Sequence, residues 1–390
     1  MIQLPIELLT LICWHRDFKM VKVALVIDWL TEVGGAERVL LMAHKAFPDA
    51  PIYTSQYRPR RIDWFRDATV HTGWLNLFPV KLRKFMAPLR ALYFGHLKLN
   101  GYDVVLSIVN SEAKGIKTDG YHIAYLQGPP VQYYWGMYDE YIKHPGFGKL
   151  DWLARLGLKL LVKPMRRSDL TLSRRPDLIV ANSTYVAQEV KQYYQRTAEV
   201  LPPPVAVWRL SKLKAKPYPK FDGQPFFMVA GRQVNWKRFD LAIKACLKAK
   251  VNLLVVGDGP EHKKLVQLAG DSPRIKFLPR YDTPERLANY FRAAEGFIFC
   301  SKEPFGITPV EAMACGLPVL AFNQGGSLDI VRRGVNGDFF NAQSVEALAR
   351  ALKKWHRSDY DTRRVKRSVQ QFDETEFIER LKQVVYDARR

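Results

Sequence analysis

The chain has 390 residues, of which 47% are hydrophobic and 12% aromatic; this exceeds what one ordinary core holds and predicts a globular protein of two domains. A formal charge of +22 calls for an acidic partner: nucleic acid, anionic lipid headgroups or a phosphorylated substrate. Four cysteines without a C-x-x-C pair or metal-ligand spacing exclude a disulfide framework and structural zinc, and read as a reduced, cytoplasmic protein. The charge is spread, with 32 basic against 19 acidic residues over 1–222, 24 against 14 over 223–372 and 4 against 5 beyond, whereas a nucleic-acid-binding arm would concentrate it.

Residues 1–19 read as an extension. The apolar run from Ile2 to Trp14 is broken by Glu7, is too short to span a bilayer and lacks a basic start or a small-residue cleavage site, while a natural first strand follows Met20, which we expect to be the functional start. Residues 22–27 form that strand, Gly34 and Gly35 a turn, and Ala36-Glu-Arg-Val-Leu-Leu-Met-Ala43 a helix. Gly34 and Gly35 either let the backbone approach a ligand at the carboxyl edge of a sheet or simply make the turn. The spacing is not that of a dinucleotide fingerprint.

Two stretches combine basic and apolar residues. Residues 79–98 hold five Lys or Arg and no acid, and residues 149–167 hold six against Asp151 alone, with Trp152, Leu153, Leu156, Leu160 and Leu161 among them. Each predicts an amphipathic helix, either packed on a core with a solvated basic face or lying on an anionic membrane surface. Strands over 103–108 and 121–126 follow, the second with a structural histidine, His122, and opening into Gln127-Gly-Pro-Pro-Val-Gln-Tyr-Tyr-Trp135. A further strand ends at Asn182-Ser183, and the Pro- and Lys-rich residues 205–225, with little periodicity, predict a linker.

The second half opens with a strand over 226–230, a turn at Gly231, then Arg232 and Lys237 ahead of a helix. Arg232 can grip a phosphate in a bidentate way and Lys237 supplies a point charge, or both are solvated surface cations. A strand enters Gly257-Asp-Gly-Pro260, another leads to Pro279-Arg-Tyr281, and a short apolar run leads into residues 299–316. There Glu303 and Glu311 stand with seven residues between them, around a turn into a helix with Pro309 at its first position. The N–H groups of Phe305, Gly306 and Ile307 can meet an anion at the helix's positive end; equally, Thr308 and Glu311 read as a capping box and Glu303 as a solvated carboxylate.

Residues 303–316 resemble the E-x7-E signature of retaining glycosyltransferases of family 4, and Val33-Gly-Gly-Ala-Glu-Arg38, Gly231-Arg232 with Lys237, and the loop at 127–135 are similar to that family's, most of all to its mannosyltransferase branch. The resemblance implies a GT-B fold, α/β, with two Rossmann-like domains facing across a cleft: residues 20–204 as acceptor domain, 226–372 as nucleotide-sugar donor domain, and 373–390 as a helix crossing back. It implies Arg232, Lys237, Glu303 and Gln127 as catalytic residues, with Glu303 on the donor sugar. Donor contacts fall to Gly34, Gly35, Gly231, Gly257, Phe305, Gly306, Ile307, Thr308 and, on the ribose, Glu311. Where the family commonly carries histidine this chain has Gln127, which hydrogen-bonds a hydroxyl but moves no proton near neutral pH. Asp329 stands where glutamate is frequent.

The activity so implied is transfer of a hexose, mannose from GDP-mannose first, to a glycan or lipid-linked glycan, without metal or cofactor, by a cytoplasmic protein peripheral on the inner membrane face. Other readings are a UDP-sugar-dependent transferase, a sugar-nucleotide epimerase of the same fold, a binding relic inactivated at Gln127, and a basic nucleic-acid- or membrane-binding protein without catalysis. The last leaves the paired carboxylates and the glycine turns idle.

Overall fold

The computed structural model describes residues 21–143, 145, 148–213, 221–278 and 284–389. The expected extension at 1–19 with its start at Met20, residues 214–220 of the linker and the turn at 279–281 lie outside the described residues. Among those described, the strands form two sheets. The first has the order β3-β2-β1-β4-β5-β6-β7, with β1 Val23–Ile27, β2 Ile52–Thr54, β3 Val70–Thr72, β4 Val104–Val109, β5 Tyr121–Leu126, β6 Leu178–Ala181 and β7 Glu199–Val200. The second runs β10-β9-β8-β11-β12-β13, built from β8 Phe226–Ala230, β9 Asn252–Val256, β10 Ile275–Leu278, β11 Gly296–Phe299, β12 Val319–Phe322 and β13 Gly337–Phe340.

All pairings in both sheets are parallel. The sequence reason lies in the central strands, which are apolar without alternation: β1, β4, β8, β11 and β12 are buried at every position, because helices cover both faces of each sheet. Strand order reverses between β1 and β4 and between β8 and β11, so each sheet opens a crevice at those carboxyl ends.

The first part of the expected linker, residues 205–213, is more ordered than its composition predicts. Val207–Lys212 forms a helix whose Val207 and Leu210 enter the second domain's core; two apolar residues three apart are enough once prolines no longer obscure the period. The closing helix Glu374–Asp387 starts at Asp373, which accepts from Thr375 N–H and from the backbone N–H of Trp208. Phe377, Leu381 and Val385, one helical face, are buried in the first domain's core, with the Phe377 ring edge-on to Tyr125 at 6.0 Å.

The two basic stretches separate. Residues 79–98 do not make one helix: a 3-10 turn over Val80–Phe85 precedes the helix Ala87–His96, with Pro88 in its first turn. Two of its cations face inward, with the Arg83 and Arg90 guanidiniums over the Trp29 ring at 4.7 and 5.1 Å. Arg90 pairs with Glu112 at 2.8 Å, and both are buried. The helix Asp151–Ser173 does present both characters, with Trp152, Leu153, Leu156, Leu160 and Leu161 exposed beside the exposed Lys159, Lys163 and Arg167.

Buried charge holds the loops at the carboxyl edge of the first sheet. Asp28, after β1, accepts from the N–H groups of Asn110, Ser111, Glu112 and Ala113 at 2.7–2.9 Å. Burial, and then Glu112, raise its carboxyl above the ordinary value against those bonds. Lys114 pairs with Asp169 at 2.6 Å, and Asp169 also accepts from Trp135 Nε1 and Tyr194 OH, which fixes the loop after β5 onto the helices beneath it. His122 is buried and shares a hydrogen bond with Ser107 Oγ; burial pulls its imidazole down to about 3, so it stays neutral and structural.

Two predictions follow from these groups. Lys114→Met leaves Asp169 buried without its cation and is expected to lower stability by about 3–5 kcal/mol in denaturant unfolding. Glu37 is 4% exposed, and burial raises its carboxyl to about 7. Its folded-state proton is held more tightly than in the unfolded chain, so its contribution to stability is complete below pH 4.5 and lost as pH rises through about 7. Glu37→Gln should therefore match the parent near pH 4.5 and exceed it by up to about 3 kcal/mol at pH 8, measured as the difference between two stability–pH curves.

Candidate functional site

The candidate residues gather from both domains at the carboxyl ends of the strands. From the first domain comes the turn after β1. Gly34 is the extended residue capping the helix Gly35–Ala46, and a Cβ there would stand 2.8 Å from Glu37 Oε2. A Cβ on Gly35 would touch Ile307 Cδ1 of the other domain at 3.4 Å, so this turn faces the start of the helix Ile307–Ala314.

From the second domain come two loops that need glycine. Gly231 and Gly257 have φ of +138° and +119°, and a Cβ on Gly257 would fall 2.1 Å from the Gly231 carbonyl oxygen. Gln233, fully buried, ties the same loops together by donating to Gly257 O at 2.7 Å and meeting His262 Nδ1 at 2.7 Å. Sequence reasoning passed over Gln233; the signal was a polar residue in a loop between two strand ends. Arg232 is exposed, whereas Lys237 turns inward, its Nζ 2.8 Å from Glu303 Oε1, to which Ser301 Oγ also donates at 2.7 Å.

The helix after β11 starts at Ile307 with Gly306, φ +126°, as its cap. Pro309 is therefore third in the helix rather than first, and of the two readings of Thr308 and Glu311 the capping box does not form: no side chain caps this helix. Glu311 reaches instead across the domains to Arg38, Nη1 to Oε1 3.0 Å. The Phe305 ring is buried against Phe372 at 5.3 Å, so its backbone alone is available to a ligand. Thr308 lies in the first turn, whose N–H groups have no intrahelical acceptor. Arg38 is a site residue that the sequence reading did not single out, although it follows Gly35 by three positions and shares its helix face.

Gln127 leaves β5 with its backbone paired to Val109 and to Asn182 Nδ2. Its Nε2 is buried without a hydrogen-bond partner, and so is Asn182 Oδ1 at the end of β6. A donor and an acceptor are thus buried and unpaired in neighbouring loops after β5 and β6. Asp329 spans the cleft, accepting from Thr184 N–H at 2.7 Å, at the start of the helix Thr184–Tyr194.

Known proteins resemble this chain in part of its sequence and in its fold. Residues 211–372 match the family model described as "Glycosyl transferases group 1". A D-inositol 3-phosphate glycosyltransferase of Rhodococcus opacus is 37% identical over 115 residues, 27% of this chain and 25% of the relative. One of Nocardiopsis dassonvillei is 28% identical over 212 residues, 48% of this chain and 49% of the relative. The chain thus spans half or less of the length of these curated relatives. In fold the likeness runs further. The structure of Anabaena Alr3699/HepE in complex with UDP superposes with a TM-score of 0.67 at 18% identity, covering 94% of this chain and 100% of that one. The apo form of the lipopolysaccharide outer core galactosyltransferase WaaB gives 0.65 at 14%, covering 94% and 99%. With two Rossmann-like parallel sheets, this chain is a GT-B-fold protein whose second domain matches the group 1 glycosyl transferases.

Proposed function

We propose that the chain is a retaining glycosyltransferase of the family 4 type that moves a hexose from a nucleoside diphosphate sugar to a glycan or lipid-linked glycan. The observation that carries the reading is the gathering of Lys237, Glu303 and Glu311 around the open start of the helix Ile307–Ala314, facing the Gly34-Gly35 turn. Cations and free N–H groups at one point stabilise charge developing on a departing diphosphate. Lys237 and the helix end carry that role, Arg232 adds an exposed guanidinium, Glu303 orients the sugar and Glu311 the ribose. The acceptor hydroxyl attacks the anomeric carbon on the face from which the diphosphate leaves, its proton passing to the departing phosphate oxygen, so that configuration is retained without a covalent nucleophile or a proton moved by Gln127.

GDP-mannose is the donor we propose first. The HepE structures with UDP and with UDP-glucose support UDP sugars as the second reading. Thermal melts with GDP, UDP and ADP and their sugar conjugates separate the two: at about a hundredfold the dissociation constant a ligand adds roughly 2.7 kcal/mol. The expected result is a shift with GDP and GDP-mannose that is lost in Arg232→Ala and Glu311→Ala. A shift with UDP conjugates alone transfers the proposal to them, and no shift with any nucleotide refutes the transferase reading.

Among the described residues no helix is long and apolar enough to cross a membrane. A peripheral contact with an anionic inner membrane face is proposed through the helix Asp151–Ser173, whose exposed leucines and Trp152 lie beside the exposed Arg155, Lys159, Lys163 and Arg167. Co-sedimentation with phosphatidylglycerol-containing vesicles, and not with phosphatidylcholine alone, is expected. Trp152→Ala with Leu160→Ala should reduce it at least about tenfold; equal binding to both vesicles, or an unaffected double variant, removes this part.

A further inference from the structure

Beside the candidate transfer centre lies a second cavity between the domains, of about 840 Å³, within the roughly 300–1,000 Å³ usual for small-molecule sites. Its lining interleaves with that centre. Trp236 and Arg238 flank Lys237, Lys302 and Pro304 flank Glu303, and Pro129 and Gln132 follow Gln127 in the same loop. The partition between the two spaces is thin: a Cβ on Gly128 would stand 3.5 Å from Gln132 Nε2 and 3.6 Å from Pro304 Cγ. Anything bound in the cavity would therefore adjoin whatever reacts at Lys237 and Glu303.

The chemistry of the walls differs from that of the diphosphate side. Three carboxylates, Asp139, Glu189 and Asp240, face three cations, Lys143, Arg238 and Lys302, so the cavity has no net preference for an anion. Aromatic surface is set among them. Tyr193 leans on Trp135 at 5.3 Å and 34°, Tyr185 carries Lys302 over its ring at 4.6 Å, and Trp236, 46% exposed, stands on the other domain. Flat rings take the C–H faces of a pyranose, while carboxylates and amides take its vicinal hydroxyls; balanced charge with aromatic faces is the surface of a neutral saccharide site.

We propose that this cavity holds the second sugar unit of an oligosaccharide acceptor, so that the protein extends an existing chain of at least two units rather than glycosylating a monosaccharide. The proposal rests on the transferase reading for its direction: the reacting unit sits at Lys237 and Glu303 and the preceding unit sits between Tyr193 and Trp236. Gly136 marks the wall, since a Cβ there would lie 3.4 Å from Glu189 Oε2 and 3.6 Å from Tyr193 OH, and a larger side chain would fill the space.

The test is calorimetric titration of the full chain, with GDP or UDP present, using mannobiose, cellobiose and diacetylchitobiose beside mannose, glucose and N-acetylglucosamine. At least one disaccharide should bind about tenfold or more tightly than its own monosaccharide. Trp236→Ala should lose about that factor through the missing ring, and Gly136→Leu, which removes no contact group, should lose it by filling the cavity. Nucleotide-induced thermal shifts should be unchanged in both variants. Disaccharides that bind no better than monosaccharides, or that bind both variants as they bind the parent, overturn the inference. Nucleotide binding without disaccharide preference refutes the cavity's role and leaves the transferase reading standing; disaccharide binding without any nucleotide shift leaves a saccharide site but overturns its reading as an acceptor site along with the transferase.

Discussion

Parallel strand pairing is the constraint on which the rest of this molecule depends. Strands joined by crossovers all end on the same edge of a sheet, and the loops that leave that edge are the loops free to carry chemistry. Each sheet reverses its strand order beside its central strand, and the turns there, at Gly34-Gly35 and at Gly231, bring their groups to the crevice. The carboxylate helix after β11 and the amides after β5 and β6 stand at the same edges. The close approach of Gly257 to the Gly231 carbonyl leaves no room for a side chain, and the buried Gln233 then joins the two loops.

Charge works on two levels. Inside the first domain, paired ions fix loops: Asp28 under the turn at residues 110–113, Glu112 against Arg90, Asp169 against Lys114. Such pairs contribute little net stability over apolar packing, but each partner alone would be costly, so they hold a particular loop geometry. Across the cleft the contacts are more exposed and fewer. Arg38 to Glu311 and Thr184 to Asp329 join the domains. Glu311, the expected ribose ligand, is thereby engaged by the opposite domain, and a nucleotide would meet a carboxylate already held in place.

The large positive charge divides accordingly. Part of it turns inward, as Arg83 and Arg90 do over Trp29. Part stands at the candidate site, and part decorates the long helix Asp151–Ser173 beside its exposed leucines. The cavity beside that site, in contrast, is balanced in charge and lined in part by aromatic residues. The transfer we propose, from an anionic donor to a neutral glycan, would need both kinds of surface close together, and the same loops carry both.

The sequence by itself determined the fold class and the rough place of the site. Unbroken apolar strands, glycines at their ends and helical periods between them specify two parallel α/β sheets, because those patterns are local. The motif at residues 303–316 was legible for the same reason, as were Gly231, Lys237 and Glu303, each close in sequence to a strand end. What only the tertiary structure decided is partnership over long separations. Whether Glu311 caps its own helix or pairs with Arg38, 273 residues away, depends on how two domains meet. The inward turn of Arg90, the core position of the Phe305 ring and the helix hidden in the proline-rich linker likewise depend on neighbours far along the chain. A hydrophobic period identifies a face, but what that face meets is set by packing.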